Sequence, residues 1–160
     1  MNQRTPRGRT AIPEARTGSK AQNKALARRF LKEVVNTGAV DRLTEYLAPD
    51  FVAHHLEMNG VEAARQHMLA FHQSYPDLRV TVDGQVAEGD IVVTWWTMRG
   101  THLGEYGGIK PTGKVMVLKG VNVQRIQHHR IIEQWGGSNS LEALLKIGAI
   151  HWNINPSKEV

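Results

Sequence analysis

Histidines supply most of the chemistry this sequence can offer. Of its eight, His54 and His55 lie side by side in "DFVAHHLE", His102 stands in "GTHLGE", and His128 and His129 share "QHHR". An imidazole with an ordinary pKa of about 6.5 can take or give a proton near neutrality, so the residue type suits acid/base work. Metal binding fits poorly. Neighbours on a strand point to opposite faces and cannot grip one ion together, and no H-E-x-x-H or similar His-rich spacing occurs. There is no cysteine, which removes thiol nucleophiles, disulfides and Cys-based zinc sites. No metal site is expected.

A second feature imitates a nucleotide site. "GGIKPTGKV", Gly107 to Val115, contains G-x-x-x-x-G-K. A phosphate-binding loop sits between a strand and a helix and needs Ser or Thr after its Lys to hold magnesium. Here Val115 follows Lys114, the residues beyond alternate like a strand, and Pro111 lacks an amide that a phosphate cradle would use. The segment reads instead as a connection between two long strands, with Thr112-Gly113 opening the second and the loop lying near a cavity rim.

The elements that must position these groups follow from periodicity. Leu26, Phe30 and Val34, with Ala27, Leu31 and Val35 beside them, form the apolar stripe of a helix that Gly38 stops. A second helix spans Val40 to Leu47 and closes before Pro49. "DFVAHHLE" reads as a short strand on which one of His54 and His55 faces inward. Ala64, Met68, Phe71 and Tyr75 mark a third helix. From Leu78 the period becomes two, with a tight turn at "AEGD" and long strands in "IVVTWWTMRGTH", "KVMVLKGVNVQRI" and "IIEQW". A short helix at Leu141 to Ile147 ends the pattern. Helices followed by antiparallel strands predict an α+β plan, a curved sheet with helices on one face and an apolar pocket at its mouth.

At 160 residues the chain suits one domain. Its net charge of +5 suggests nucleic acid, but Arg4, Arg7, Arg9, Arg16 and Lys20 against Glu14 place most of that excess in residues 1–20. Those residues read as a basic tail too polar to fold, leaving a domain over 21–150 and a C-terminal tail over 151–160. The domain is near neutral, so nucleic acid is not the expected partner. No apolar run reaches the roughly 20 residues of a membrane span, and no signal-peptide core is present. A cytoplasmic setting is expected.

Read in order, "FHQSYPDLRVTVDGQVAEGDIVV", "GTHLGEYGGIKPTGKVMVLKGVNVQRI", "IIEQW" and "LEALLKIGA" resemble the SnoaL-like polyketide cyclases, or ester cyclases, of the nuclear transport factor two superfamily. The resemblance implies a cone-shaped barrel, its mostly antiparallel sheet wrapped on three N-terminal helices around an apolar pocket. It implies a homodimer or higher homo-oligomer through the outer sheet face. It also implies chemistry on a small hydrophobic substrate without metal or cofactor, commonly an aldol ring closure. Ring-closing members carry an aspartate directly after the position of Trp135, where this chain has Gly136. They place an amide and an imidazole where Gly120 and Asn122 stand, a further Asp at Asn139, and an Asp-His pair at Ala53-His54.

His54 and His102 are therefore the candidate catalytic residues. Asn122, Gln134, Tyr46, Trp96, Met98 and Leu118 are the candidate substrate contacts, with Ile132 on the pocket side of the last strand beside Gln134. Two function classes follow: an acid/base cyclase or isomerase, and a non-catalytic binder of small apolar ligands. Of Trp95 and Trp96, alternation sends one inward and the other to the outer face.

Overall fold

The structure, a computed structural model, describes residues 18–151. Residues 1–17 and 152–160 of the expected tails lie outside the described residues. Helix α1 (Lys20–Phe30) starts on a capping box: the Ser19 hydroxyl accepts from the Gln22 amide, and the Gln22 side chain accepts from the Ser19 amide. It widens into a π-turn at Leu31–Val35, where the Asn36 amide donates to the Leu31 carbonyl. Leu31 and Val35 then both reach the interior.

The second expected helix is shorter than its sequence pattern. A 3-10 turn at Val40–Arg42 leads into α2 (Leu43–Tyr46), and strand β1 (Leu47–Ala53) begins at once. Pro49 falls in the irregular stretch where β1 loses register with its neighbour, so it interrupts no ladder bond there. β1 stops at Ala53, and His54–Leu56 coil into a 3-10 turn before β2 (Met58–Asn59). Helix α3 (Gly60–Ser74) crosses the sheet, and a meander follows: β3 (Arg79–Glu88), β4 (Ile91–Thr101), β5 (Val115–Gln127) and β6 (Arg130–Ser138). Helix α4 (Ser140–Lys146) closes the chain.

The six strands form one curved sheet in the order β2-β1-β6-β5-β4-β3, with β1 and β6 parallel and the other pairs antiparallel. Its concave face packs on α1 and α3 through Leu26, Phe30, Val34, Ala64, Val92, Ile126 and Ile131. A second apolar cluster joins Tyr75, Leu78, Met98, Met116 and Leu118 to Ala143 and Ile147 of α4. This is the expected α+β barrel.

Two local expectations change. A bulge shifts the β5–β6 register, so that Ile126 pairs Ile131 while Arg125 pairs Glu133. Ile131, fully buried, takes the inward position expected of Ile132, because one extra residue reverses the alternation. The second long strand opens at Val115 rather than Thr112, since Gly113 takes a positive φ that a strand does not use.

Candidate active site

Cross-strand register builds the inner face of the sheet into rows. Gly136, Asn122, Thr94 and Gln85 form one row from β6 to β3, and Gln134 and Gln124 lie next to it. The row is polar but internally satisfied in part: Gln85 donates to the Thr94 hydroxyl at 2.9 Å, and Gln124 donates to the Gln134 carbonyl oxygen at 2.7 Å. Thr94 and Gln124 are buried, so these bonds remove the cost of placing amide and hydroxyl groups in the core. The following rows are apolar, with Trp96 beside Gly120 and Met98 beside Leu118.

Above these rows lies a cavity of about 200 Å³. Phe30, Leu31 and Val35 wall it from α1 and the π-turn, Phe51 from β1, and Met68 and Phe71 from α3. Five lining side chains can exchange hydrogen bonds: His55, His67, Trp96, Asn122 and Gln134. Among the described residues, no lining side chain carries a carboxylate, an ammonium, a guanidinium or a phenol. The Trp96 indole Nε1 is buried with no hydrogen-bond partner among the described residues.

Two glycines shape this space in opposite ways. A Cβ at Gly120 would lie 2.5 Å from the Trp96 ring and 2.7 Å from the Gly137 carbonyl oxygen, so the indole occupies the room Gly120 concedes. A Cβ at Gly136 would meet the Val121 carbonyl oxygen at 3.0 Å, Asn122 Oδ1 at 3.2 Å and His55 Nε2 at 3.4 Å. The bare Cα of Gly136 therefore faces a point bordered by an imidazole and a carboxamide.

His55 stands at the cavity mouth, exposed as a residue, while its Nε2 edge borders the interior. The protein walls desolvate its charged form and lower its pKa below the ordinary 6.5; the Gln134 main-chain carbonyl opposes this and the charge of His54 adds to it. His67, more deeply placed on α3, is lowered by burial and then by the charge of His55. Its ring stacks near Phe71 with centroids 6.2 Å apart and meets the edge of Tyr106 at 6.4 Å.

Of the residues expected at the site, Asn122, Gln134, Trp96, Met98 and Leu118 line the cavity together. Three do not reach it. His54 begins the 3-10 turn, where strand alternation no longer applies. Its ring stacks on Trp135 at 4.6 Å, and its Nε2 donates to Glu133 Oε1 at 3.3 Å, beside the Arg125–Glu133 ion pair. That cluster sits on the outer side of β5 and β6.

Tyr46 is buried in the helical core, tilted on Phe30, and its hydroxyl donates to Glu33 Oε2 at 2.6 Å. His102 is fully buried and stacks on Tyr75 at 5.1 Å. Its main chain pairs with both Gly113 and Lys114, and Thr112 Oγ1 lies 3.4 Å from its Nδ1. "T-H-x-G-E" and "P-T-G-K" thus meet in space as the two ends of one loop.

The glycine-rich turn within that loop, with Gly107 and Gly108 at positive φ, does not line the cavity. It carries Tyr106 onto Phe71, which does. His128 and His129 form the exposed β5–β6 turn. Trp95 is the outward tryptophan, 43% exposed and laid over Gly84.

Sequence missed His67 and named His55 only as the alternative to His54. His67 could have been found, since it falls at i+3 from Ala64 on the apolar stripe of α3. Among the described residues no group of three His, Asp or Glu side chains is arranged to hold a metal ion, and no helix is long and apolar enough to cross a membrane.

Solved structures share this architecture. TsrD from Streptomyces laurentii superposes with a TM-score of 0.76 at 24% identity, over 83% of this chain and 99% of that one. AclR from Streptomyces galilaeus, a proposed hydroxylase, gives 0.73 at 25% identity over 84% and 89%. IdmH from Streptomyces antibioticus, a proposed polyketide cyclase, gives 0.68 at 29% identity over 79% and 99%. No curated protein matches the sequence. The family model of SnoaL-like polyketide cyclases matches residues 25–147, most of the chain and nearly all of the barrel, and the protein belongs to that family.

Proposed function

We propose that the protein is an acid/base enzyme of the cyclase or isomerase type, acting without a cofactor on a small, mostly apolar metabolite inside the cavity. One observation carries the reading: an apolar cavity of about 200 Å³ whose hydrogen-bonding side chains include two imidazoles and two carboxamides. Ring closure and isomerisation of a ketone both begin by moving a proton off the carbon beside the carbonyl. A neutral imidazole suits that step, and carboxamide or indole N–H groups can stabilise the enolate oxygen. Membership of the SnoaL-like family supports a role of this type, as does the likeness to IdmH. AclR, similar at 25% identity, keeps hydroxylation within the range of chemistry this fold supports.

The absence of any carboxylate among the lining residues favours a second reading, a carrier that binds such a ligand without turning it over. Deuterium uptake separates the two. The protein is incubated in D2O with 4-phenyl-2-butanone, an apolar enolisable ketone, and both exchange and binding are followed by NMR. Protein-dependent exchange above the heat-denatured control supports the enzyme. Saturable binding with no exchange replaces it with the carrier, and neither binding nor exchange rejects both.

A further inference from the structure

We propose that His55 is the proton acceptor of the cavity, working on a substrate atom held between its Nε2 and the Asn122 carboxamide, over the bare Cα of Gly136. The assignment rests on the acid/base reading above and gives it a residue.

Only His55 and His67 among the lining side chains can exchange a proton near neutrality. His67 lies beside Phe71 and Tyr106, its ring centroid 6.2 and 6.4 Å from theirs, in an aromatic rather than a polar setting. His55 instead borders the polar row of the sheet: its Nε2 and Asn122 Oδ1 lie 3.4 and 3.2 Å from one shared point above Gly136. The distances put the His55 ring edge and the Asn122 carboxamide on the same side of Gly136, so a substrate atom resting in van der Waals contact on its bare Cα would have a base and a hydrogen-bonding amide on its flanks, the arrangement a proton transfer needs. A side chain at 136 would occupy that side.

The groups around His55 suit a base that stays unprotonated. His54 from its own turn and His67 from α3 are imidazoles whose charge would oppose a second one. From β5 and β6, Arg125 and Glu133 pair with each other on the outer face, where Glu133 also takes the His54 hydrogen bond. Among the described residues no carboxylate is thus left inside to hold a proton on His55. Its position at the mouth lets the proton pass to solvent after each turnover.

The test uses 5-nitrobenzisoxazole, a small apolar probe that reports a buried base without knowledge of the natural substrate. The base takes the ring C–H proton, the electrons of that bond complete a nitrile, the N–O bond breaks, and the charge leaves as a coloured phenolate. The full-length protein should open the probe faster than buffer and faster than its heat-denatured form, with a rate that rises with pH and levels off near neutrality. His55→Gln should lower the catalysed rate by about 100-fold, the usual scale for losing a general base, with little change in apparent KM. His54→Gln should stay within about twofold of wild type, since outer-face stacking takes no part in the proton transfer.

The rising limb of the pH profile should be lost from the residual rate of His55→Gln, whereas a merely structural His55 would leave that limb in place. Thermal melts confirm that each variant is folded. The proposal is overturned if wild type shows no catalysis, or if His55→Gln retains most of it. If ketone exchange nonetheless persists in His55→Gln, the acid/base reading stands and His67 becomes the base.

Discussion

At the scale of single residues, the cavity is set by what two imidazoles cannot do once the chain has folded. Burial lowers the pKa of His55 and His67 below the ordinary 6.5. As pH falls through 6.5 the unfolded chain takes up protons at these positions while the folded protein resists. The unfolded state then binds more protons, and stability must fall with acidification. The effect is present over the window from about 6.5 down to the lowered folded pKa values and changes little above it. The melting temperature should therefore drop between about pH 7.5 and about pH 5, and a His55→Gln/His67→Gln double variant should flatten that slope. An unchanged slope in the double variant would show that other groups set the acid limit. Alternation along a strand allowed either His54 or His55 to face inward, and the family's Asp-His pair at Ala53-His54 pointed to His54, which the fold turns outward. Ala53 ends the strand, and the 3-10 turn that follows sends His54 onto Trp135 and leaves His55 at the mouth.

At the scale of elements, the loop between β4 and β5 shows how a motif can be legible while its role is not. The long strands, the three N-terminal helical segments and the closing helix all lie near their expected places, because period-two and period-3.6 patterns record which face is buried. Cross-element contacts leave no such record. Leu103 and Gly104 both donate their amides to the Ser74 carbonyl, and the Ser74 hydroxyl donates to the Glu105 carbonyl, so the loop is tied to the end of α3. A Cβ at Gly104 would lie 2.5 Å from the Gln73 carbonyl oxygen, which explains why a glycine stands there. His102 anchors this joint from below through its stack on Tyr75 and its main-chain pairing with Gly113 and Lys114. His102→Ala should thus cost about 2–4 kcal/mol in denaturant unfolding, as for other large buried rings cut back to a methyl group. Turnover of the benzisoxazole probe, measured where the variant is still folded, should stay near wild type. Full stability with lost turnover would reverse the assignment and return His102 to the chemistry.

At the scale of the whole molecule, the described residues cover the inner face of the sheet and leave the outer face uncovered. Alternation puts Val86, Val93, Trp95, Val121 and Val123 on the outer side of β3, β4 and β5, where register sets Val86 beside Val93, Val93 beside Val123 and Trp95 beside Val121. Val86 is 56% exposed, Trp95 43% and Val121 37%. A contiguous apolar patch of this kind marks an association surface more often than chance exposure. Its surroundings carry both signs, Arg99 and Arg125 with Asp83 and Glu133, so the face can meet a copy of itself across a two-fold axis without like charges opposed. We infer a homodimer through this face. A stable one needs about 800 Å² buried per partner. Sedimentation across micromolar concentrations should show the dimer and its dissociation. Trp95→Lys would place a charge at the centre of the patch, and it should yield a monomer whose probe turnover is retained, because Trp95 points away from the cavity. A wild-type protein that sediments as a monomer at the highest soluble concentration removes the dimer and leaves the patch to be covered within the chain.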